Sequence, residues 1–244
     1  MLTSLVGSEM CIRDSVRTDG KNPPGLYSIE INEIGERSFS YWRDQSPSKY
    51  IFLGSKGKKL AREIKNADVF YYTGISAGIL DAKQKKDLIH IGSTAVTCGF
   101  DFNYRSQLHN NKKVSQLLFK KISENVDINF VSFDDVKELF DIKNPYEVFE
   151  ILNDQKNLIL IRYKDSIIFK NKQEVIKTVK VHHGEVVDTT AAGDAFNGSF
   201  LALINNDKNI PIVENILKSH SVTREVIKHK GAIISNKNMP NINT

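Results

Sequence analysis

Cysteine is nearly missing from this sequence: its 244 residues contain two, Cys11 and Cys98. Two thiols so far apart form neither a disulfide framework nor the paired spacing of a zinc site, and they point to a reducing compartment, the cytoplasm. Cys98 stands in the apolar-flanked run "AVTCGF" and reads as a buried strand thiol. Long apolar runs are missing as well, so nothing spans a bilayer as a helix and no membrane partner is expected. Charge is close to balanced, 34 basic against 29 acidic residues for a net +5. The lysines are scattered, with short clusters such as Lys56-Gly57-Lys58-Lys59. No basic stripe interleaved with stacking aromatics occurs, which argues against nucleic acid. The mild basicity suits a small anionic substrate. The phosphate-binding pattern G-x-x-x-x-G-K-[ST] is also absent, so this is not a P-loop protein.

What is present is enough for one large α/β domain, since 40% of the residues are hydrophobic. Residues 1–15 have neither a signal-peptide layout nor a helical or strand period, and read as a non-native leader before a domain at 16–244. The clearest β signal is "GLYSIEINEIGERSFSYW". Tyr27, Ile29 and Ile31 alternate with Leu26, Ser28 and Glu30, a Gly-containing turn follows, and Phe39, Tyr41 and Trp42 fall in a second strand. This predicts a hairpin at about 25–43 with one aromatic face, packed on a body or acting as a lid.

Downstream, strands alternate with helices. "KGKKLAREIKNA" reads as a helix, "DVFYYTGIS" as a strand and "SAGILDAKQKKDLIH" as one further helix. "STAVTCGFDFNYR" is a strand ending in polar residues. "VSQLLFKKISENV" is an amphipathic helix with Leu117, Leu118, Ile122 and Val126 on its apolar face. "DINFVSF" is a strand and "DDVKELF" a helix start. "NLILIRY", "SIIFK" and "VIKTVKV" are successive strands joined by tight turns. The alternation predicts a mostly parallel sheet with helices on both faces, and ligands outside the carboxyl ends of the strands.

The stretch "DTTAAGDAFNGSF", Asp188 to Phe200, stands apart. Phe196, Phe200 and Leu203 recur at helical spacing, so a buried helix starts near Ala192. The N–H groups of its first turn have no intrahelical partner. Ala191, Ala192 and Gly193 carry almost no side chain, so an anion can approach those donors, favoured by the helix dipole. Thr189 and Thr190 can cap the helix. Asp194 next to such a hole fits a base that deprotonates a hydroxyl attacking a phosphoryl group. The same residues also fit an ordinary tight strand-to-helix turn with threonine caps and a first-turn acid. Asn197-Gly198-Ser199 matches a glycosylation acceptor but lies inside this stretch and is discounted.

"DTTAAGD" resembles the "DTTGAGD" motif of the PfkB-type, ribokinase-like carbohydrate kinases, with Ala for the first Gly. "PGLYSIE", "GERSFSYWR" and "FDFNYR" extend the resemblance, which runs from about Val16 to Pro240 and is closest to the branch acting on keto-deoxy sugar acids. It implies a three-layer ribokinase-like α/β fold with a mostly parallel central sheet and a small β lid. It further implies a kinase using ATP and Mg2+ to phosphorylate the C6 hydroxyl of such an acid, with a possible homo-oligomer through the lid. Carried over by motif, Asp194 is the catalytic base, and Ala191, Ala192 and Gly193 form the anion hole. Tyr27, Tyr41, Trp42, Arg43 and Arg105 contact the substrate together with Asp194. Asn103, Ser132, Arg162, Gly193 and Ala232 lie on the nucleotide side, and Asp135 acts indirectly on the metal.

Each of these also has a plain structural role open to it. Tyr27, Tyr41 and Trp42 can pack the hairpin, Arg43 and Arg105 can be surface pairs, and Asp135 can favour a helix start. The family opens with a strand and a Gly- and Asn-containing sugar-binding segment, in whose place the leader stands here. The expectation is therefore poor turnover by this chain. Tyr163 in "IRYKDS" replaces the glycine usual in the nucleotide loop, and "HIGSTAVTCG" is a shorter connection than usual. A neutral-sugar kinase and a non-catalytic sugar- or nucleotide-binding protein are the competing readings. The first has no use for the two arginines.

Overall fold

The computed structural model describes residues 20–31, 37–152, 157–171 and 175–242. The leader at 1–15 and the hairpin turn at 32–36 lie outside the described residues. The strands β1 (Leu26–Ile31) and β2 (Arg37–Trp42) pair antiparallel as the expected hairpin, with Tyr27 opposite Tyr41 and Leu26 opposite Trp42. Six more strands form one sheet in sequence order. They are β3 (Val69–Thr73), β4 (Thr97–Asp101), β5 (Ile128–Ser132), β6 (Leu158–Tyr163), β7 (Ser166–Lys170) and β8 (Ile176–Lys180).

The connections dictate the strand directions. β3 follows the helix α1 (Gly54–Lys65). Between β3 and β4 run α2 (Gly74–Ile79) and α3 (Ala82–Gly92), between β4 and β5 runs α4 (Lys112–Ser123), and between β5 and β6 run α5 (Phe133–Phe140) and α6 (Glu147–Ile151). Each crossover returns the chain to the same end of the sheet, and β3 to β6 are parallel. β6 and β7 are joined by Lys164 and Asp165 alone, with Lys164 at φ 49°, so β7 turns back antiparallel and β8 follows it.

Alternation along the strands divides the interior in two. Val131, Ile159 and Ile161 face one core with Phe100, Phe119, Val136 and Leu139. Phe130, Leu158 and Leu160 face the other, with Phe196 and Phe200 of α7 (Ala192–Asn206) and Ile216 of α8 (Ile212–Val226). The sheet is buried on both faces, so β5 and β6 read as continuous apolar runs. Cys98 is buried in β4, and burial pushes its thiol up to about 12.

Three local expectations are corrected. The stretch 76–90 holds two helices, because Leu80 is extended and Asp81 caps a new one by accepting the Gln84 N–H at 2.8 Å. Leu117 is 69% exposed; the buried face of α4 is carried by Ser115, Phe119, Ile122 and Ser123. The hairpin does not have a single aromatic face. Tyr41 and Trp42 are consecutive strand residues and point to opposite sides, so Trp42 shares a face with Leu26 and not with Tyr27.

Two glycines test this packing. A Cβ on Gly74 would lie 2.0 Å from the Phe102 carbonyl oxygen and 2.7 Å from the Phe119 ring. Gly198, exposed on α7, has nothing within 4 Å of that position. Gly74→Ala is expected to destabilise the protein by about 2 kcal/mol or more, and Gly198→Ala to stabilise it by about 0.5–1 kcal/mol. Urea unfolding of both variants checks the opposite signs, and a neutral Gly74→Ala would disprove the close approach of α2 to the chain leaving β4.

Candidate active site

The Asp188–Asp194 loop is held at both ends before α7 starts. The N–H groups of Val187 and Asp188 both donate to the carbonyl of Ile227, just past α8. The Asp188 carboxylate accepts the Thr190 N–H at 2.7 Å and the Gly231 N–H at 2.9 Å. Ala191 then takes the left-handed conformation, φ 62°, and serves as the N-cap residue. This is the position where the "DTTGAGD" form has glycine; a Cβ there costs about 1–2 kcal/mol. Ala191 has no side-chain oxygen with which to cap the helix, and the Asp188 carboxylate and the turn at Ala191 set its start.

Of the three expected anion-facing donors, the Ala192 N–H turns back to the Thr189 carbonyl at 3.2 Å. Among the described residues, the N–H groups of Ala191, Gly193 and Asp194 take no protein acceptor. Two of the expected donors, those of Ala191 and Gly193, are thus open, and the N–H of Asp194 adds a third. The Asp194 side chain is solvent-exposed in the first turn of α7, free of packing that would turn it from a substrate.

Behind this turn lies a closed polar group. Arg162 Nη1 donates to Asn197 Oδ1 at 2.7 Å, and Nη2 lies 3.4 Å from Asp101 Oδ1. Asn197 Nδ2 donates to Asp101 Oδ2 and to the Tyr71 hydroxyl, both at 3.0 Å. The Tyr71 hydroxyl donates in turn to Asp101 Oδ2 at 3.4 Å. The guanidinium of Arg162 sits under the loop, 3.4 Å from where a Cβ on Gly193 would be. Burial pushes the Asp101 carboxyl up, Arg162 opposes this, and the charge of Asp194 adds to it. Burial, then Asp101, likewise raises the Tyr71 hydroxyl.

Arg105, beyond the end of β4, is 3.2 Å from Asp135 on α5 and also donates to the Tyr104 carbonyl at 2.6 Å. Asp135 is half-buried, and burial pushes its carboxyl up to about 6 despite the Arg105 charge. Asn103 and Ser132 occupy the ends of the same strands, Asn103 with the unusual φ of 33°. Among the described residues no three His, Cys, Asp or Glu side chains converge as a metal cage. The carboxyl groups of Asp101, Asp135 and Asp194 nonetheless share one end of the sheet, and a cation carried in on phosphates fits an Asp135 that its arginine compensates only in part.

A cavity of ≈ 370 Å³ opens on the far side of the loop. Arg162, Gly193 and Ala192 line it, together with Lys164, His183, His220 and Thr223. His183 and His220 meet edge to face at 5.2 Å, and burial holds His220 below the usual histidine range. Of the expected nucleotide-side residues, Arg162 and Gly193 line the cavity, while Asn103 and Ser132 stand with Asp135 and exposed Ala232 follows the Gly231 contact. On the hairpin, the Arg43 guanidinium stacks over Tyr41 at 4.3 Å and near Tyr27 at 5.6 Å, which joins three of the four expected lid residues.

The sequence profile of the "pfkB family carbohydrate kinase" matches residues 9–239. The chain belongs to this family. Its members are phosphotransferases acting on a hydroxyl group. The 2-dehydro-3-deoxygluconokinase of Haemophilus influenzae is 33% identical over 227 residues, covering 90% of this chain and 72% of the relative. That of Escherichia coli K12 is 30% identical, covering 89% and 72%. Among solved structures, the ATP-bound fructokinase of Xylella fastidiosa superposes with a TM-score of 0.73 at 19% identity, over 91% of this chain and 71% of that one. This likeness establishes the ribokinase-like α/β fold.

Tyr71, Asn197, Lys164, His183 and His220 were not expected at the site. The titration of Asp135 offers a direct test of the site's electrostatics. Its folded value lies above that of an exposed aspartate, so the native state binds the proton more tightly than the unfolded chain. Its contribution favours folding below about pH 4 and is lost as pH rises through about 6. Asp135→Asn is expected to stabilise the protein at pH 8 by about 1–3 kcal/mol, with the difference closing by pH 4. Urea titrations at both pH values check this, and a variant less stable at pH 8 would mean the Arg105 ion pair outweighs burial.

Proposed function

We propose that this chain transfers the γ-phosphoryl group of ATP to the C6 hydroxyl of a 2-keto-3-deoxy sugar acid, 2-keto-3-deoxygluconate, giving its 6-phosphate. The observation that carries the reading is an exposed Asp194 in the first turn of α7, next to N–H groups without protein acceptors, in a turn whose Ala192 and Gly193 line a cavity of ≈ 370 Å³. The C6 oxygen attacks the γ-phosphorus as the bond to the β-phosphate bridging oxygen breaks. The hydroxyl proton goes to Asp194, and ADP leaves. The Gly193 and Asp194 N–H groups and the helix dipole face the charge that develops on the phosphoryl oxygens. The cavity takes the nucleoside, with Arg162 where it meets the loop. Asn103, Ser132 and Ala232 border the phosphates from the strand ends and the loop after α8. Mg2+ bound with the nucleotide would neutralise phosphate charge, and Asp135 is the residue fitted to hold it, through water.

The sugar acid is supported by the 30–33% identity to 2-dehydro-3-deoxygluconokinases. Arg105 and Arg43 supply cations for its carboxylate, with Tyr27, Tyr41 and Trp42 of the lid closing over it. Leu26 and Trp42 form an exposed apolar lid face on which a second copy would rest. A neutral sugar, of the ribose or fructose kind, is the second reading. It is favoured by one feature: Arg105 already pairs with Asp135 and Arg43 already stacks on two tyrosines, so an uncharged sugar would leave both cations compensated.

Asp194→Asn is expected to lower kcat by roughly 10²-fold or more with ATP binding nearly intact, since the amide cannot accept the hydroxyl proton. A variant within about threefold of the parent would make Asp194 a helix-start acid only. The two substrate readings separate on 2-keto-3-deoxygluconate, 2-keto-3-deoxygalactonate, ribose and fructose assayed side by side. Arg105→Ala is expected to lower kcat/KM for the acid by about 2–4 kcal/mol and to leave neutral sugars poor. A parent that prefers fructose or ribose would rule the acid out.

A further inference from the structure

Asn197 lies one helical turn beyond Asp194, between Phe196 and Phe200, and is wholly buried. A buried amide is tolerated in an apolar face only when its atoms are hydrogen-bonded. Here both ends are engaged: Oδ1 by Arg162, Nδ2 by Asp101 and Tyr71. The Tyr71 hydroxyl accepts from Asn197 and passes its own hydrogen to Asp101, so the donors and acceptors form a consistent ring. The ring joins four elements, β3, β4, β6 and α7. Arg162 lines the cavity next to the anion loop, whereas Asp101 is 97% withdrawn from solvent, only 3% exposed.

The geometry also shows which partner orients the guanidinium. Its contact with the neutral Asn197 oxygen is short, 2.7 Å, while that with the Asp101 carboxylate is long, 3.4 Å. The amide therefore sets the plane, and the carboxylate supplies compensating charge without capturing the cation. A buried ion pair gives little net stability compared with apolar side chains of the same volume. Its value lies in holding the one charge of the ring that reaches the cavity.

We propose that Asp101 and Asn197 are positioning residues for phosphoryl transfer, fixing the Arg162 guanidinium beneath the Gly193 loop so that it faces the terminal phosphates of the nucleotide. They act through Arg162 and do not touch substrate. This rests on the nucleotide reading of the cavity, but not on the identity of the sugar. Two further charged groups face the ring, Asp194 from α7 and Asp135 from α5, and Tyr71 is the titratable hydroxyl within it.

The test is calorimetric binding of adenosine and of a non-hydrolysable ATP analogue to the parent, Arg162→Ala, Asp101→Asn and Asn197→Asp, with circular dichroism as a check on folding. Arg162→Ala is expected to weaken the analogue about tenfold or more and adenosine less than twofold. Asp101→Asn and Asn197→Asp, both isosteric, should weaken the analogue three- to tenfold with adenosine unchanged. Guanidinium chloride at low millimolar concentration should recover at least half of the analogue affinity lost in Arg162→Ala, and urea should not. The recovery should vanish in Asp101→Asn/Arg162→Ala, where the carboxylate that compensates the added ion is gone. Equal weakening of both ligands, unfolding of both isosteric variants, or rescue that persists in the double variant would reduce the ring to a structural one and overturn the proposal. A parent that binds the analogue with this pattern but phosphorylates no sugar acid overturns the substrate reading and leaves the ring standing. A parent that binds neither ligand overturns both.

Discussion

The Asp188 carboxylate accepts one N–H from its own turn and one from the loop beyond α8, and the position of α7 depends on it. A helix that begins with Ala-Gly has no side chains with which to anchor its first turn. Its start must be fixed from outside, by Asp188 on the loop side and by Asn197 on the sheet side. Between these two anchors the backbone stays uncovered, which is what an anion needs. The left-handed Ala191 is the local cost of the arrangement. The turn adopts a conformation that favours glycine because the hydrogen bonds at both ends demand it.

The carboxyl end of the sheet gathers like charges. Burial raises the proton affinity of Asp101 and Asp135, the charge of Asp194 adds to it at Asp101 and that of Asp101 at Asp135, and Arg162 and Arg105 offset it in part. Arg162 pairs with Asp101 and Arg105 with Asp135. The parallel topology makes this possible. β4, β5 and β6 all end at the same edge, so residues far apart in sequence, such as Asp101 and Arg162, meet there through strand register alone.

Much of this was legible in the sequence, and the omissions have physical reasons. The loop at 188–194 announces itself by a run of small residues between two aspartates, followed at once by an apolar helical pattern. β5 and β6 are legible because a doubly covered strand must be apolar throughout. Asn197 and Tyr71 are not, because a single polar residue in an apolar pattern looks like filler until its partners are known, and Tyr71 lies 126 residues away. His183 and His220 are not legible either, because the whole of α7 lies between them and neither stands in a motif. The division at 76–90 was available: Asp81 followed by Gln84 is the pattern of a capping residue and its partner three positions on. Strand alternation also sufficed to put Trp42 opposite Tyr41.

The Arg105–Asp135 pair links the two halves of the proposed reaction. Arg105 is exposed enough to receive a carboxylate, while Asp135 is half-buried and already strained toward its protonated form. A sugar acid that draws Arg105 away leaves Asp135 with less compensation and a greater demand for a cation. Nucleotide arriving with its divalent ion would meet that demand, so the acid and the metal-bound nucleotide would each favour the other's binding. A neutral sugar would leave Arg105 where it is and give no such coupling. The two substrate readings therefore differ not only in which sugar is phosphorylated but in whether sugar binding changes affinity for the nucleotide, and this distinction follows from one ion pair at the ends of β4 and β5.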